Sequence, residues 1–307
     1  MRSGRRHCRC ESLTRAGIGE LRIIDRDFVQ GQNLHRQPLF NEDHAQDQLP
    51  KAVAAAKTLG SINSEVKLDP RVEDLRSPNA EKLLKGYTVI LDGTDNFETR
   101  LLINDVAVKL GIPWIYAGAV GASFSVMPVR PGQSGCLRCM MPGEPNPGSL
   151  PTCDSAGVIN PAPGLVGALE AAFALRLLAT ETFGDPGLVT GDVWRGTFET
   201  VKVEKRAECP VCGHLRFDFL NGNKGSSAGA LCGREAVQIV PEEQKKLSLN
   251  KLLERLKSSC DCNYNGYLLT IENDALTMTI FPNGRAIVQG TSDQSVARQF
   301  YSRYVGN

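Results

Sequence analysis

Two pairs of cysteines form the clearest chemical pattern in the sequence. The first pair is Cys136 and Cys139 in CLRC, and the second is Cys209 and Cys212 in CPVCG. Each pair has the CxxC spacing that can present two thiolates to one metal ion, and two pairs complete a tetrahedral zinc site with no open position for catalysis. The spacing therefore predicts a structural zinc site. Two unrelated thiol pairs, or a redox-active CxxC motif, are the alternatives.

A further cysteine, Cys153, stands apart from both pairs. It lies in TCDSAGV, near the end of a segment rich in Pro and Gly, 141–157, that we predict to be a mobile loop. A predicted helix begins soon after it, and the dipole at a helix N-terminus favours a thiolate. No histidine follows nearby to act as a base. Cys153 is therefore either a nucleophile or a surface thiol without a function.

Charged residues follow two of the predicted strands. Asp25 ends the apolar run LRIID, where nucleotide-binding α/β folds carry the acid that holds ribose hydroxyls. Arg36 and Lys51 are cations suited to phosphate groups. Asp92 and Asp95 lie on a loop that opens the next helix, where a carboxylate can bind magnesium or orient a second carboxylate. Helix capping and solvated surface charge are the alternative explanations for each residue.

Strands and helices alternate along the first two thirds of the chain. Continuous apolar runs such as TVILD indicate strands that are covered on both faces, and runs with helical spacing lie between them. The predicted elements are strand 21–25, helix 50–63, strands 66–72 and 88–92, helix 96–111, strands 113–121 and 123–129, helix 164–181, and strands near 188–193 and 197–204. This order predicts an α/β fold with a mainly parallel sheet, whose ligands bind at the carboxyl ends of the strands.

The domain organisation is predicted from a change in composition. We expect a first domain over 1–217, a linker over the polar segment 218–230, and a small α+β accessory domain over 231–307. The accessory domain should contain a hairpin with an Asn-Gly turn between its strands, and a final helix. We expect it to dock a partner or a second subunit. Its CxC pair, Cys260 and Cys262, is predicted to be structurally neutral.

Composition excludes several classes of protein. The 35 Lys and Arg against 34 Asp and Glu give a net charge of +1, which offers no electrostatic case for a nucleic acid or an anionic membrane as partner. The apolar run 164–179 contains Glu170 and Arg176, and we expect it not to span a membrane. Ten cysteines, many of them in close pairs, fit metal binding in the reducing cytoplasm better than a disulfide scaffold.

Taken in order, these motifs resemble one family. The matching segments are LTRAGIGELRIIDRDFVQGQNLHRQ, the Pro-Lys pair at 50–51, DGTDNFETR, CLRC, TCDSAGVINPAPGLVGALEA and CPVCG. Over residues 12–217 they resemble the ThiF/MoeB/HesA family, which is related to ubiquitin-activating enzymes. The resemblance implies a Rossmann-like fold, a homodimer, and an adenylyltransferase. Its members use magnesium–ATP to adenylate a ubiquitin-like sulfur-carrier protein that ends in Gly-Gly.

The resemblance also implies roles for individual residues. Asp25 would hold the ribose of ATP, Arg36 and Lys51 would contact its phosphates, and Asp95 would hold magnesium or orient the attacking carboxylate. The two CxxC pairs would bind zinc. Cys153 falls on the position whose thiol, in the ThiF branch, forms a covalent link to the carrier. Arg36, Asp95 and Cys153 would thus take part in catalysis.

The N-terminal part departs from the family pattern. In the family, a first strand and a glycine-rich loop come before the helix that ends in LTRAG, whereas here MRSGRRHCRC, which looks foreign in composition, stands in that place. We therefore expect a missing strand, exposed edges on its neighbours and weak ATP binding. A truncated or frame-shifted gene model would explain this. The alternative functions are a non-catalytic binding scaffold and, on α/β topology alone, a nicotinamide-dependent oxidoreductase.

Overall fold

The chain folds into two compact units in the computed structural model, which describes residues 5–143, 156–184, 187–224, 236–241, 247–273 and 275–306. Unit 1 consists of Met1–Gln46 and Lys51–Gly225, and unit 2 consists of Asp47–Pro50 and Ser226–Asn307. Each unit has a hydrophobic core of its own.

Unit 1 alternates helices and strands, which confirms the α/β class. Its helices are α1 (Arg5–Arg15), α2 (Glu42–Gln46), α3 (Lys51–Ile62), α4 (Ser77–Leu84), α5 (Phe97–Leu110), α6 (Leu137–Met140) and α7 (Pro161–Thr180), with a 3-10 helix at Gly31–Arg36. Its strands are β1 (Glu20–Ile24), β2 (Lys67–Arg71), β3 (Ile90–Leu91), β4 (Trp114–Val120), β5 (Ser123–Val129), β6 (Leu188–Asp192) and β7 (Thr197–Val201).

Helix α5 begins and ends at its capping residues. Asn96 accepts a hydrogen bond from the N–H of Thr99 at 2.8 Å. Gly111 ends the helix with a φ of 68°, a left-handed conformation that glycine adopts without strain. The cap at Asn96 fixes the start of α5 directly after the loop that carries Asp92 and Asp95.

The strands of unit 1 form two sheets with mixed pairing. β1 pairs with β2 and β3 pairs with β4, both in parallel. In the sheet order β3-β4-β5-β6-β7, the strands after β4 are antiparallel to their neighbours. The predicted parallel pairing is therefore limited to the first strands. Only residues 121–122 join β4 to β5, a connection far too short for the crossover that parallel strands need.

An open cleft lies between the two sheets of unit 1, and we call it the strand cleft. Among the described residues, β1 has only β2 as a strand neighbour and β3 has only β4. The other edges of both strands line one cavity of about 770 Å³, together with apolar side chains such as Leu13 of α1 and Leu83 of α4. β3 covers only Ile90–Leu91 of the predicted 88–92, and it is paired on one side alone. These exposed edges agree with the expected gap in the sheet.

Helix α7 is long and apolar enough to cross a membrane by length and composition alone. Its most apolar stretch is 44% buried inside the structure, and it packs against α1, β4 and β5. The carboxylate of Glu170, in the middle of α7, is buried in an ion pair with Arg9. Because core helices pass the same composition test, this helix is weak evidence for a membrane span.

Unit 2 is a small α+β module, as predicted. Its antiparallel sheet has the order β8-β12-β11-β10-β9. The strands are β8 (Ala236–Ile239), β9 (Asp261–Tyr264), β10 (Leu269–Asn273), β11 (Leu276–Ile280) and β12 (Ala286–Gln289), and the helices are α8 (Leu249–Leu256) and α9 (Gln294–Tyr304). The apolar face of α8, formed by Leu249, Leu252 and Leu256, is buried against the core of the unit. The predicted Asn-Gly turn joins β11 to β12, with Gly284 at a φ of 82°.

We expect an apolar strand placed in the strand cleft to stabilise unit 1. The test joins about five Val and Ile residues and a glycine-containing turn to the chain ahead of Arg5. Each apolar side chain buried between β1 and β3 contributes about 1.5–3 kcal/mol before the entropy cost. A rise in Tm of about 4 °C or more should follow in a thermal melt.

An extension of equal length made of Gly and Ser is the control, because it cannot bury apolar surface. It should leave the Tm of the chain unchanged. If the apolar extension also leaves the Tm unchanged, the cleft does not accept a strand.

Candidate functional site

The loop after β1 brings two of the predicted nucleotide-binding residues together. The carboxylate of Asp25, buried directly after β1, accepts a hydrogen bond from the N–H of Asp27 at 2.9 Å. The carbonyl of Asp27 accepts the N–H of Lys51 at 2.8 Å, and the Lys51 ammonium lies 3.8 Å from the Asp27 carboxylate. Lys51 is only 3% exposed. The β1 loop and the start of α3 therefore meet at the carboxyl end of β1. Asp27 joins them, and the sequence analysis did not identify this residue.

Arg26 of this loop is held among carboxylates. Its guanidinium lies 3.1 Å from the carboxylate of Asp74 and 3.8 Å from that of Asp27. Burial opposes the guanidinium charge, but Asp74, Asp27 and, more weakly, Asp95 raise the pKa of Arg26 above its usual range. Asp95 thus contributes weakly to the electrostatic environment of Arg26, and its role in binding a nucleotide stays a prediction. We use the name charged site for the four residues that the sequence predicts to bind the nucleotide, Asp25, Arg36, Lys51 and Asp95, of which Asp25 and Lys51 lie on segments joined through Asp27.

Arg36 lies at the end of the 3-10 helix that follows the β1 loop. Its guanidinium donates a hydrogen bond to the side-chain oxygen of Asn33 at 2.7 Å, and both residues are buried. Residues three apart in a 3-10 helix lie one above the other, so the spacing in NLHR is the signal that could have identified Asn33. Asn33 thus fixes the direction of the Arg36 side chain.

Asp92 has a structural role, in contrast to the possible magnesium ligand considered from the sequence. Its carboxylate is fully buried and accepts hydrogen bonds from Arg100 at 3.0 Å, from the N–H of Thr94 at 2.7 Å and from the N–H of Ala117 at 3.3 Å. Such a carboxylate is already neutralised and saturated with donors. Asp95, which is only half-buried, is the better candidate for a metal ion.

Arg9 ties the first helix to this network. Its guanidinium donates to the carbonyl of Asp92 at 2.8 Å and forms a buried ion pair with Glu170 of α7. Its neighbour Cys10 is also buried. Although the N-terminal residues look foreign in composition, these two side chains are integrated into the core of unit 1.

The four cysteines of the two CxxC pairs converge on one point. All four sulfurs lie within 4.8 Å of one another. Across the two pairs, Cys136 is 3.6 Å from Cys209, and Cys139 is 3.3 Å from Cys212. Gly213 allows the backbone to turn tightly here, because a Cβ at that position would lie 2.1 Å from the carbonyl oxygen of Ala207.

Two neighbouring residues of α5 hold the segments that carry these pairs. The side chain of Asn104 accepts the N–H of Leu137, between the first two cysteines, at 2.9 Å. The carboxylate of Asp105 accepts the N–H groups of Phe219 and Leu220 at 3.0 and 3.2 Å. Burial raises the pKa of Asp105 to about 7, although these two backbone donors oppose the shift. Helix α5 therefore supports both the cysteine cluster and, through Arg100, the Asp92 network.

Cys153 lies outside the described residues, as does most of the predicted mobile loop. Its role as a nucleophile stays a prediction.

Comparisons with known proteins identify the family. A model of the ThiF family matches residues 8–211. A relative from Bacillus subtilis, named a sulfur carrier protein ThiS adenylyltransferase, is 38% identical over 299 residues, which cover 96% of this chain and 88% of that protein. A relative from Thermus thermophilus, named a sulfur carrier protein adenylyltransferase, is 36% identical over 66% of this chain and 76% of that protein.

A solved structure supports the fold. The crystal structure of MccB from E. coli with ATP has a TM-score of 0.61 and 20% sequence identity, covering 69% of this chain and 65% of that chain. At this level of identity, the likeness shows the fold alone. Because the family model spans more than half of the chain and the relative from Bacillus subtilis aligns with nearly all of it, the chain belongs to the ThiF family.

Proposed function

We propose that the protein uses magnesium–ATP to adenylate the C-terminal carboxylate of a ubiquitin-like sulfur-carrier protein. The observation that carries this proposal is the 38% identity, over 96% of the chain, to a relative named as an adenylyltransferase of the sulfur carrier ThiS. The match extends through most of both units, so it is not limited to the nucleotide-binding fold. Relatives with such names give no support to a binding scaffold or an oxidoreductase.

The charged site contains the groups that this reaction needs. The Asp25 carboxylate can accept hydrogen bonds from ribose hydroxyls, and Lys51 and Arg36 can neutralise phosphate oxygens. Asp95 is the proposed ligand of magnesium, which when bound would offset the charge of the leaving pyrophosphate. The ion pairs and hydrogen bonds to Asp27 and Asn33 hold the two cations in place before ATP arrives.

The reaction brings two anions together. The carrier carboxylate attacks the α-phosphorus of ATP, a new P–O bond forms, and the bond to the β-phosphate breaks with its electron pair leaving on pyrophosphate. Cations placed around the α-phosphate lower the cost of this approach and stabilise the charge that develops in the transition state. The product is a mixed anhydride that a thiolate or another sulfur nucleophile can attack.

An exposed apolar hairpin in unit 1 supports a protein as the partner. Trp194, between β6 and β7, is 82% exposed, and Phe198 of β7 is 59% exposed. Apolar side chains clustered on an edge strand are typical of a protein-binding surface. The homodimer is a further proposal that rests on the resemblance to the family.

We expect Lys51→Ala to lower carrier-dependent release of pyrophosphate by about 100-fold, because it removes a buried cation from the charged site. The assay mixes the protein with magnesium–ATP and a carrier ending in Gly-Gly. The control is Lys67→Ala, which removes an exposed lysine at the start of β2 in unit 1, away from the β6–β7 hairpin, and should leave the rate unchanged.

The same assay and calorimetry with ATP should be run on the strand-extended form, whose glycine-containing turn supplies backbone N–H groups for the phosphates. We expect that form to bind ATP more tightly than the chain alone.

For the Lys51→Ala test, pyrophosphate release at the full rate would mean that the phosphates of ATP do not bind beside Lys51.

We propose zinc as the ion for the cysteine cluster. Four sulfurs form the donor set that zinc prefers in structural sites, and in a tetrahedral site with metal–sulfur distances of about 2.3 Å the sulfurs lie about 3.8 Å apart. The observed separations of 3.6 and 3.3 Å are close to that value. Zinc would connect the segment of Cys136 and Cys139 to that of Cys209 and Cys212 without taking part in the reaction.

One zinc ion per chain should therefore co-purify with the protein, and Cys139→Ser should reduce the content to near zero, measured by atomic emission. Loss of the ion should also lower the Tm, because a structural metal contributes to folding. The control is Cys8→Ser in α1, which should keep both the zinc and the Tm. A metal-free wild-type protein with the same Tm would contradict the assignment.

We propose Cys153 as the nucleophile that attacks the adenylated carrier. The attack forms a thioester-type bond and releases AMP with the electron pair of the broken anhydride bond. Cys153→Ser should abolish a carrier conjugate that is sensitive to thiols, seen on a non-reducing gel, while Cys8→Ser should retain it. If the serine variant still forms the conjugate, the nucleophile is another residue, and Cys232 is the next candidate.

A further inference from the structure

A second pair of thiols meets in unit 2. The sulfurs of Cys260 and Cys262 lie 2.9 Å apart, although the sequence predicts no role for either residue. Cys260 follows the end of α8, where its N–H donates to the carbonyl of Leu256 at 3.1 Å. Cys262 belongs to β9 and lies opposite Ile271 of β10. The turn after α8 thus delivers one thiol directly against the other.

The backbone explains why the two sulfurs meet. Cys260 lies in the bend between α8 and β9, with its N–H still bonded to the last turn of α8, and Cys262 is the second residue of β9, so the change of direction at the bend brings the two thiols together. Both residues are half-buried against the hydrophobic core of unit 2. β9 is an edge strand with β10 as its neighbour in the sheet order, so a solvent-borne reagent can approach from the open edge. The simpler alternative explanation of their burial is that the two thiols pack only as small apolar groups.

We propose that Cys260 and Cys262 form a reversible dithiol–disulfide site in unit 2. The two sulfurs have to approach by only about 0.9 Å to reach the disulfide bond length of about 2.0 Å. A closed ring of this size removes little chain entropy, so the disulfide gains little stability from that source and stays easy to reduce. The site is therefore suited to reversible oxidation rather than to a permanent cross-link.

Oxidation proceeds by exchange with a low-molecular-weight disulfide such as oxidised glutathione. The thiolate of Cys260 attacks one sulfur of that disulfide, which breaks the S–S bond and releases one glutathione thiolate. The thiolate of Cys262 then attacks the Cys260 sulfur and releases the second. Two protons are given up, the protein dithiol is oxidised, and one glutathione disulfide is reduced to two thiols.

The second step is helped by the first. Burial raises the pKa of Cys262 to about 12, together with the hydrogen bond and the negative charge of Cys260. Once Cys260 is held in the mixed disulfide, the last two causes disappear, and the Cys262 thiolate becomes easier to form.

The test is a redox titration of the full, zinc-loaded chain in glutathione buffers from fully reduced to fully oxidised. Free thiols are alkylated and the protein is then cut with trypsin. Residues 258–285 lie between Lys257 and Arg285 and contain no other Lys, Arg or Cys, so one peptide reports on this pair alone. In oxidising buffer it should lose two hydrogens and take up no alkylating label, and reducing buffer should reverse this.

Matched variants identify the two steps. Cys262→Ser should stop at a stable glutathione adduct on Cys260, and Cys8→Ser should leave the disulfide in 258–285 unchanged. If both thiols in this peptide remain alkylated in the most oxidising buffer, or carry glutathione without closing the ring, the proposed site is wrong. A disulfide from either residue to another cysteine would overturn it as well.

Discussion

The buried carboxylate of Asp92 is the contact on which the arrangement of unit 1 depends. It accepts hydrogen bonds from Arg100 of α5, from the Thr94 turn and from β4, while Arg9 of α1 binds the carbonyl of the same residue. Removing one partner of such a buried pair costs about 3–5 kcal/mol, because the other charge is left without compensation. The loop that carries Asp95 therefore has a fixed position, and the charged site depends on it.

Helix α5 carries this constraint further along the chain. Through Arg100 it holds the Asp92 loop, and through Asn104 and Asp105 it holds the segments around the cysteine cluster. These three residues are buried on one helix, which explains why α5 contains so many polar groups within a core. A zinc ion at the cluster would add a further connection between the two segments that α5 holds. The proposed catalytic groups and the cysteine cluster thus share one supporting helix.

Patterns of short range were predictable from the sequence, and so was the meeting of the two distant CxxC pairs, because one metal ion needs both; contacts without such a shared chemical requirement were not. The CxxC spacing predicts each pair of neighbouring thiols, and the apolar run before Asp25 predicts the strand that ends there. By contrast, Arg9 pairs with Glu170, 161 positions away, and no local pattern contains that information. The antiparallel pairing of β4 with β5 follows from the short connection at 121–122, and that of β6 with β7 from the short connection at 193–196; apolar periodicity alone does not include connection length. Cys260 and Cys262 look neutral in sequence because their meeting depends on the turn after α8.

The central claim is that ATP binds at the carboxyl ends of β1 and β3. Hydrogen–deuterium exchange with and without saturating magnesium–ATP tests it most directly, since it reports where the backbone is protected. We predict slower exchange over 25–36 and 92–97, which include the β1 loop, the 3-10 helix and the start of α5. Protection confined to unit 2, or no change in unit 1 at saturating nucleotide, would contradict the account.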